Sequence, residues 1–206
     1  MKRVSRRTAL KAFASAPVAA AMAWTPAEAG QAQRRAQQAR SEAEKRGTAY
    51  QPKFFTPHEY ATVGMLVDLI IPRDERSGSA TDAGVPEFMD FMMIDQPQRQ
   101  TAMRGGLAII DRLCEQRFDK RFVACTDQQR RVLLDDIAFP ARASETPATS
   151  HAVAFFSSFR DLTASGFWSS KIGVDDLKYI GNAYVREWKG CPDEALKKLG
   201  VSYEAD

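Results

Sequence analysis

Thr56-Pro57-His58-Glu59 is a complete helix start, and the apolar spacing behind it points to a helical fold. Thr stands at the N-cap, Pro at the first helical position and Glu at the third, so that each end can satisfy the other's backbone N–H. Tyr60, Val63, Val67 and Ile70-Ile71 then recur three and four residues apart, with Met65, Leu66 and Leu69 widening the stripe, until Pro72 stops it. This is the most hydrophobic helix downstream of residue 29 and is read as the central one. The pattern repeats. After a polar loop over 74–83, Gly84-Val85-Pro86 opens a second helix through Phe88, Phe91, Met92 and Ile94. Pro97 opens a third, with Met103, Leu107, Ile110, Leu113 and Cys114 on one face; Gly105-Gly106 inside it marks a close helix contact or a kink. Thr126-Asp127-Gln128-Gln129 is another capping box, followed by Val132, Leu133 and Ile137.

After a loop over 141–150, Ala152, Phe155, Phe156, Phe159 and Leu162 form an aromatic stripe that Ser165-Gly166 is expected to end. Residues 167–173 read as irregular, 174–180 as one or two helical turns, and Pro192-Asp193-Glu194 as the start of a short helix ending at Gly200. No segment sustains two-residue alternation over six residues, and no internal repeat is present. The expected architecture is all-α, a single small helical domain over 54–206.

The N-terminus is organised differently. Ser5-Arg6-Arg7-Thr8-Ala9-Leu10-Lys11 reads as a twin-arginine export signal, with Arg6 and Arg7 as the pair and Ala9 where Phe is usual. A short apolar run, 12–23, comes next, and Ala27-Glu28-Ala29 supplies a small-x-small cleavage site at Ala27 and Ala29. Residues 1–29 are therefore read as a signal peptide removed on export to the periplasm. The twin-arginine route carries proteins that have already folded. Residues 30–53 read as a polar linker or tail: 31–49 have the Ala, Glu and Arg content of a helix but hold no Val, Ile, Leu, Met or aromatic residue, so the stretch has no face to bury alone and is read as a linker open to lying along a partner. The formal charge of +3 resides in the leader, whose five basic residues and one acidic residue leave the remainder near −1. A nearly neutral domain gives no electrostatic case for nucleic-acid binding. No apolar run approaches the roughly 20 residues of a spanning helix.

The residues that carry chemistry are sparse. Of the two histidines, His58, in a helix's first turn, reads as solvated, and His151, at or just before a helix start, has no Cys or acidic companion nearby. Asp135-Asp136 and Asp175-Asp176 are adjacent and point to different sides of a helix. Asp68, in the most apolar helix, reads as a capped or solvent-facing acid. Cys114, Cys125 and Cys191 are an odd set, so at least one thiol is free or bonded to another chain, and their spacing excludes a C-x-x-C-H haem attachment. No nucleophile elbow, P-loop or dinucleotide fingerprint is present. No catalytic, cofactor or metal residue is assigned.

Phe55-Thr56-Pro57-His58-Glu59, Asp68-Leu69-Ile70-Ile71-Pro72-Arg73-Asp74 and Ala83-Gly84-Val85-Pro86-Glu87-Phe88-Met89-Asp90 resemble the gluconate 2-dehydrogenase subunit 3 family. So do Phe167-Trp168-Ser169-Ser170-Lys171-Ile172-Gly173, Tyr179-Ile180-Gly181-Asn182 and Trp188-Lys189-Gly190-Cys191-Pro192. The resemblance implies the non-catalytic small subunit of a membrane-associated, FAD-dependent sugar or polyol dehydrogenase of the periplasm. It implies a large flavoprotein subunit that holds FAD and lacks its own leader, a multihaem cytochrome c subunit, and transport by the twin-arginine translocase. The small subunit would export and mature the large one. Candidate interface residues are Phe167, Trp168, Trp188 and Cys191, since aromatic residues anchor interfaces and Cys191 precedes a helix start that lowers a thiol's pKa. The alternative reading is a stand-alone exported helical module that binds a small ligand.

Overall fold

The computed structural model describes residues 25–139, 147–179, 186–187 and 190–203. Among these, the chain forms eight α-helices and no strand. They are α1 (Pro26–Lys45), α2 (Pro57–Ile70), α3 (Val85–Asp95), α4 (Gln100–Phe118), α5 (Asp127–Ala138), α6 (Pro147–Trp168), α7 (Lys171–Asp176) and α8 (Asp193–Leu199). Turns of 3-10 helix lie at Pro97–Arg99 and Phe122–Ala124. The all-α expectation holds. Both capping boxes form: Thr56 Oγ accepts the Glu59 N–H at 3.3 Å while the Glu59 carboxylate accepts the Thr56 N–H at 2.8 Å. Thr126 and Gln129 make the same exchange at 3.3 and 2.9 Å.

The centre is α6, not α2. Its 22 residues span about 33 Å at 1.5 Å per residue, long enough to pack against α1 to α5 and α7. Its buried stripe of Ala152, Phe155, Phe156, Phe159, Leu162 and Phe167 meets Leu66 of α2, Phe88 and Met92 of α3 and Ile110 of α4 in one core cluster. α2, though more apolar, has 14 residues and leaves much of its surface half-exposed. α6 also overruns both ends expected from sequence, starting at Pro147 and continuing through Gly166 to Trp168. Gly166 is a contact rather than a cap: a Cβ there would lie 2.6 Å from Phe88 Cδ1. The short helix expected over 174–180 instead occupies Lys171–Asp176, because Ser170 Oγ accepts the Gly173 N–H at 3.0 Å and caps it.

The largest departure is α1. Residues 30–53 read as a linker, yet Pro26–Lys45 is a 20-residue helix whose main neighbour is α3. Its capping box joins Thr25 and Glu28, with Glu28 Oε2 accepting the Thr25 N–H at 2.9 Å. The buried face is built from Ala29, Ala32 and Ala36, spaced three and four apart. Alanine buries little area per residue but permits close approach, and polar anchors then hold the helix. Gln33 Nε2 donates to the Ala83 carbonyl at 2.9 Å. Arg40 Nη1 donates to the Thr81 and Asp82 carbonyls at 3.1 and 3.0 Å, and Arg35 pairs with Asp95 at 2.6 Å. Residues 1–24, Arg6 and Arg7 included, lie outside the described residues.

Candidate interaction surface

Two acids of α3 organise the segment that leads into α2. Asp90 is fully buried and accepts four hydrogen bonds. The Tyr50 hydroxyl and Lys53 N–H donate to Oδ2, both at 2.8 Å, and the Phe54 and Phe55 N–H groups donate to Oδ1 at 2.9 and 3.0 Å. One side chain thus substitutes for a strand partner along 53–55, a stretch with no ladder of its own. Glu87, one turn earlier, is mostly buried. Its Oε1 lies 3.5 Å from Arg40 Nε, and the Tyr60 hydroxyl faces the carboxylate. Burial raises the Glu87 pKa above its ordinary value, with Arg40 opposing. Burial and these acidic neighbours likewise push the Tyr50 and Tyr60 hydroxyls upward, so both remain donors.

The Glu87 shift has a definite sign. An acid whose folded pKa is raised keeps its proton in the folded state after the unfolded chain has lost it. Stability is then greatest below the ordinary value of 4.5 and falls as pH rises through the raised folded pKa. Glu87→Gln removes that fall. In urea unfolding at several pH values, the variant should gain on the wild type from pH 4.5 toward neutrality; parallel curves would contradict the assignment.

On the surface, α2 meets α4 through a second polar cluster around a groove of about 410 Å³. His58, expected to be solvated, is half-buried, with Nε2 2.5 Å from Asp111 Oδ2; Asp111 Oδ1 accepts the Phe122 N–H at 3.0 Å. Glu59, besides its capping role, pairs with Arg104 at 2.6 Å. Arg104 also donates to the Phe54 carbonyl at 2.7 Å and stacks 4.4 Å from the Phe54 ring. These charges join α2, α4 and the turn at 122–124. No local pattern signals the His58–Asp111 pair, because 53 residues separate its members. His151 is exposed on α6. Among the described residues, no group of three or more His, Cys, Asp or Glu side chains is placed to hold a metal ion.

The candidate interface residues part company. Phe167 is 1% exposed and packs edge-to-face on Trp168, with ring centroids 4.9 Å apart, so it belongs to the core and offers no surface. Trp168 is 39% exposed. Trp188 lies outside the described residues. Cys191 is exposed, and its N–H donates to the Tyr203 hydroxyl at 2.8 Å. Cys114 and Cys125 are both buried and lie side by side; burial, then Cys125, pushes the Cys114 thiol up to about 12, which leaves it unreactive. Leu177, Tyr179, Leu199, Val201 and Tyr203 are exposed as well, and no residue of α8 is buried. Exposed large apolar side chains in the described part of the chain therefore concentrate from Trp168 onward, where binding surfaces for other chains would be sought. No helix among the described residues is long and apolar enough to cross a membrane.

The sequence model of the family described as gluconate 2-dehydrogenase subunit 3 matches residues 57–187. The chain belongs to this family. Neither a curated protein nor a solved structure matches it. The subunit 3 region begins at the first residue of α2, runs past α7, and leaves α1 and α8 outside. Within it, the residues that carry the resemblance have structural work. Asp68 accepts the Thr81 N–H and hydroxyl at 2.8 and 2.7 Å, so the acid is held by partners and fixes the connection between α2 and α3. The Ala80 N–H donates to the Ile71 carbonyl at 3.0 Å, and Asp82 accepts the Ser79 N–H at 2.7 Å, a bond that lowers its pKa. Gly84 takes φ 80° as the N-cap of α3, a backbone region that glycine enters without strain. The first group of motif residues thus fixes how α2 is joined to α3.

Proposed function

We propose that this chain is the non-catalytic small subunit of a periplasmic, membrane-associated, FAD-dependent sugar or polyol dehydrogenase of the gluconate 2-dehydrogenase type. It binds the flavoprotein subunit, stabilises it, and carries it through the twin-arginine translocase on its own leader. A cytochrome c subunit completes the complex, and FAD and haem belong to those other chains. The subunit 3 match over residues 57–187 carries this reading. The Arg6-Arg7 motif supports the export role, and the apolar side chains exposed from Trp168 onward support a partner-binding role. Trp168 and Cys191 are the two interface candidates with described, accessible side chains, and Cys191 is the thiol open to a partner.

The test uses a C-terminal tag in the native host and the visible spectrum of what co-purifies from the periplasmic and membrane fractions. A yellow, flavin-containing species of larger mass is expected, and it should disappear from those fractions when Arg6 and Arg7 are both changed to Lys. A colourless chain recovered alone would overturn the proposal.

A further inference from the structure

We infer that the leader is removed after Ala23, not after Ala29, so that the exported chain begins at Trp24 and keeps the whole of α1. This rests on the export role proposed above. Of the small-x-small triplets in the leader, the last two, Ala21-Met22-Ala23 at the end of the apolar run and Ala27-Glu28-Ala29 beyond it, stand six residues apart. Spacing from the arginine pair does not separate them. The structure does.

Ala27-Glu28-Ala29 lies in the first turn of α1. Glu28 is half of the capping box with Thr25, and its hydrogen bonds to Thr25 lower its pKa. Ala29 is 5% exposed, its N–H bonded to the Thr25 carbonyl at 3.1 Å, and it begins the buried alanine face that continues with Ala32 and Ala36. Gln33, one turn on, is anchored to Ala83. A leader peptidase takes its substrate as an extended strand, which needs backbone groups that a helix has already turned inward. A passenger that folds before transport presents the protease with this helix in place, and cutting there would require opening its first turn.

The products also differ in what they leave behind. Removal of 24–29 deletes Thr25, Glu28 and Ala29, and places a positively charged α-amino group at the positive end of the helix dipole. Removal of 1–23 leaves Thr25 and Glu28 intact and puts the new amino group beyond the cap. The upstream site ends two residues before the N-cap.

The tagged chain from the periplasmic fraction decides this by intact mass and N-terminal sequencing. A chain beginning at Trp24 is expected; one beginning at Gly30 would overturn the inference while leaving the export role standing. Full-length chain confined to the cytoplasm would overturn both. Two variants give a second readout. Ala23→Tyr should make unprocessed chain accumulate, whereas Ala27→Leu, at an exposed helical position, should be processed at the wild-type rate. The reverse result would assign cleavage to the downstream site.

Discussion

Asp90→Ala should remove most of the stability of this protein. The substitution leaves three backbone N–H groups, of Lys53, Phe54 and Phe55, and the Tyr50 hydroxyl without their acceptor. Each buried donor left unmet costs about 1–3 kcal/mol, so even with water entering the gap the loss is on the order of 5 kcal/mol. That rivals the entire stability of a typical domain, about 5–15 kcal/mol. Asp90→Asn is the informative control. Its carbonyl can still serve Phe54 and Phe55, but its amide then faces the Tyr50 hydroxyl and the Lys53 N–H, so its loss should be intermediate. Tyr50→Phe removes one donor and should cost about 1 kcal/mol. Urea midpoints at constant m-value give the order, and an alanine variant within about 1 kcal/mol of wild type would show that the network is dispensable.

The second large effect comes from adding a single carbon. Gly106→Ala places a Cβ 1.9 Å from Phe155 Cδ2 and 2.2 Å from Cγ, inside the ring. Phe155 is itself buried and packed against Phe159, with centroids 5.5 Å apart, so it cannot swing aside freely. α4 and α6 must separate, and overpacking of this kind costs about 3 kcal/mol or more. Gly105, the preceding residue on the same helix, has no atom within 4 Å of its would-be Cβ. Gly105→Ala should stabilise by about 0.8 kcal/mol through helix propensity alone. Thermal unfolding of the two variants side by side should therefore move in opposite directions. Movement in the same direction would refute the close α4–α6 contact.

Both sites mark how far a sequence of this kind can be read. Gly105-Gly106 announces either a contact or a kink, and only the opposing Phe155 decides which, and for which glycine. Asp90 carries no local signal at all: its four donors come from residues 35 to 40 positions away. His58 and Asp111 are hidden by the same distance problem. The docking of α1 escapes a reading of the residues for a different reason. Its capping box at Thr25 and Glu28 is as complete as the one at Thr56 and Glu59, but a search for large apolar residues overlooks a face made of alanine. Such a face is worth burying only against a partner helix, and that partner, α3, lies some 50 residues downstream in the chain. Of the interface candidates, Phe167 and Trp168 are neighbours with identical sequence credentials, and helical phase alone sends one inward and leaves the other at the surface.

The residues by themselves determined the all-α class, the starts of α2, α3 and α5, and the family. Each of these depends on signals within a few residues of one another, namely caps, prolines and three-to-four spacing, or on motifs kept contiguous in the chain. Tertiary structure alone decided that α6 is the hub, that α1 is a docked helix and not a tether, and that the acids of α3 hold the chain leading into α2. Those outcomes depend on which surfaces meet, and burial energies between elements tens of residues apart leave no local pattern to read.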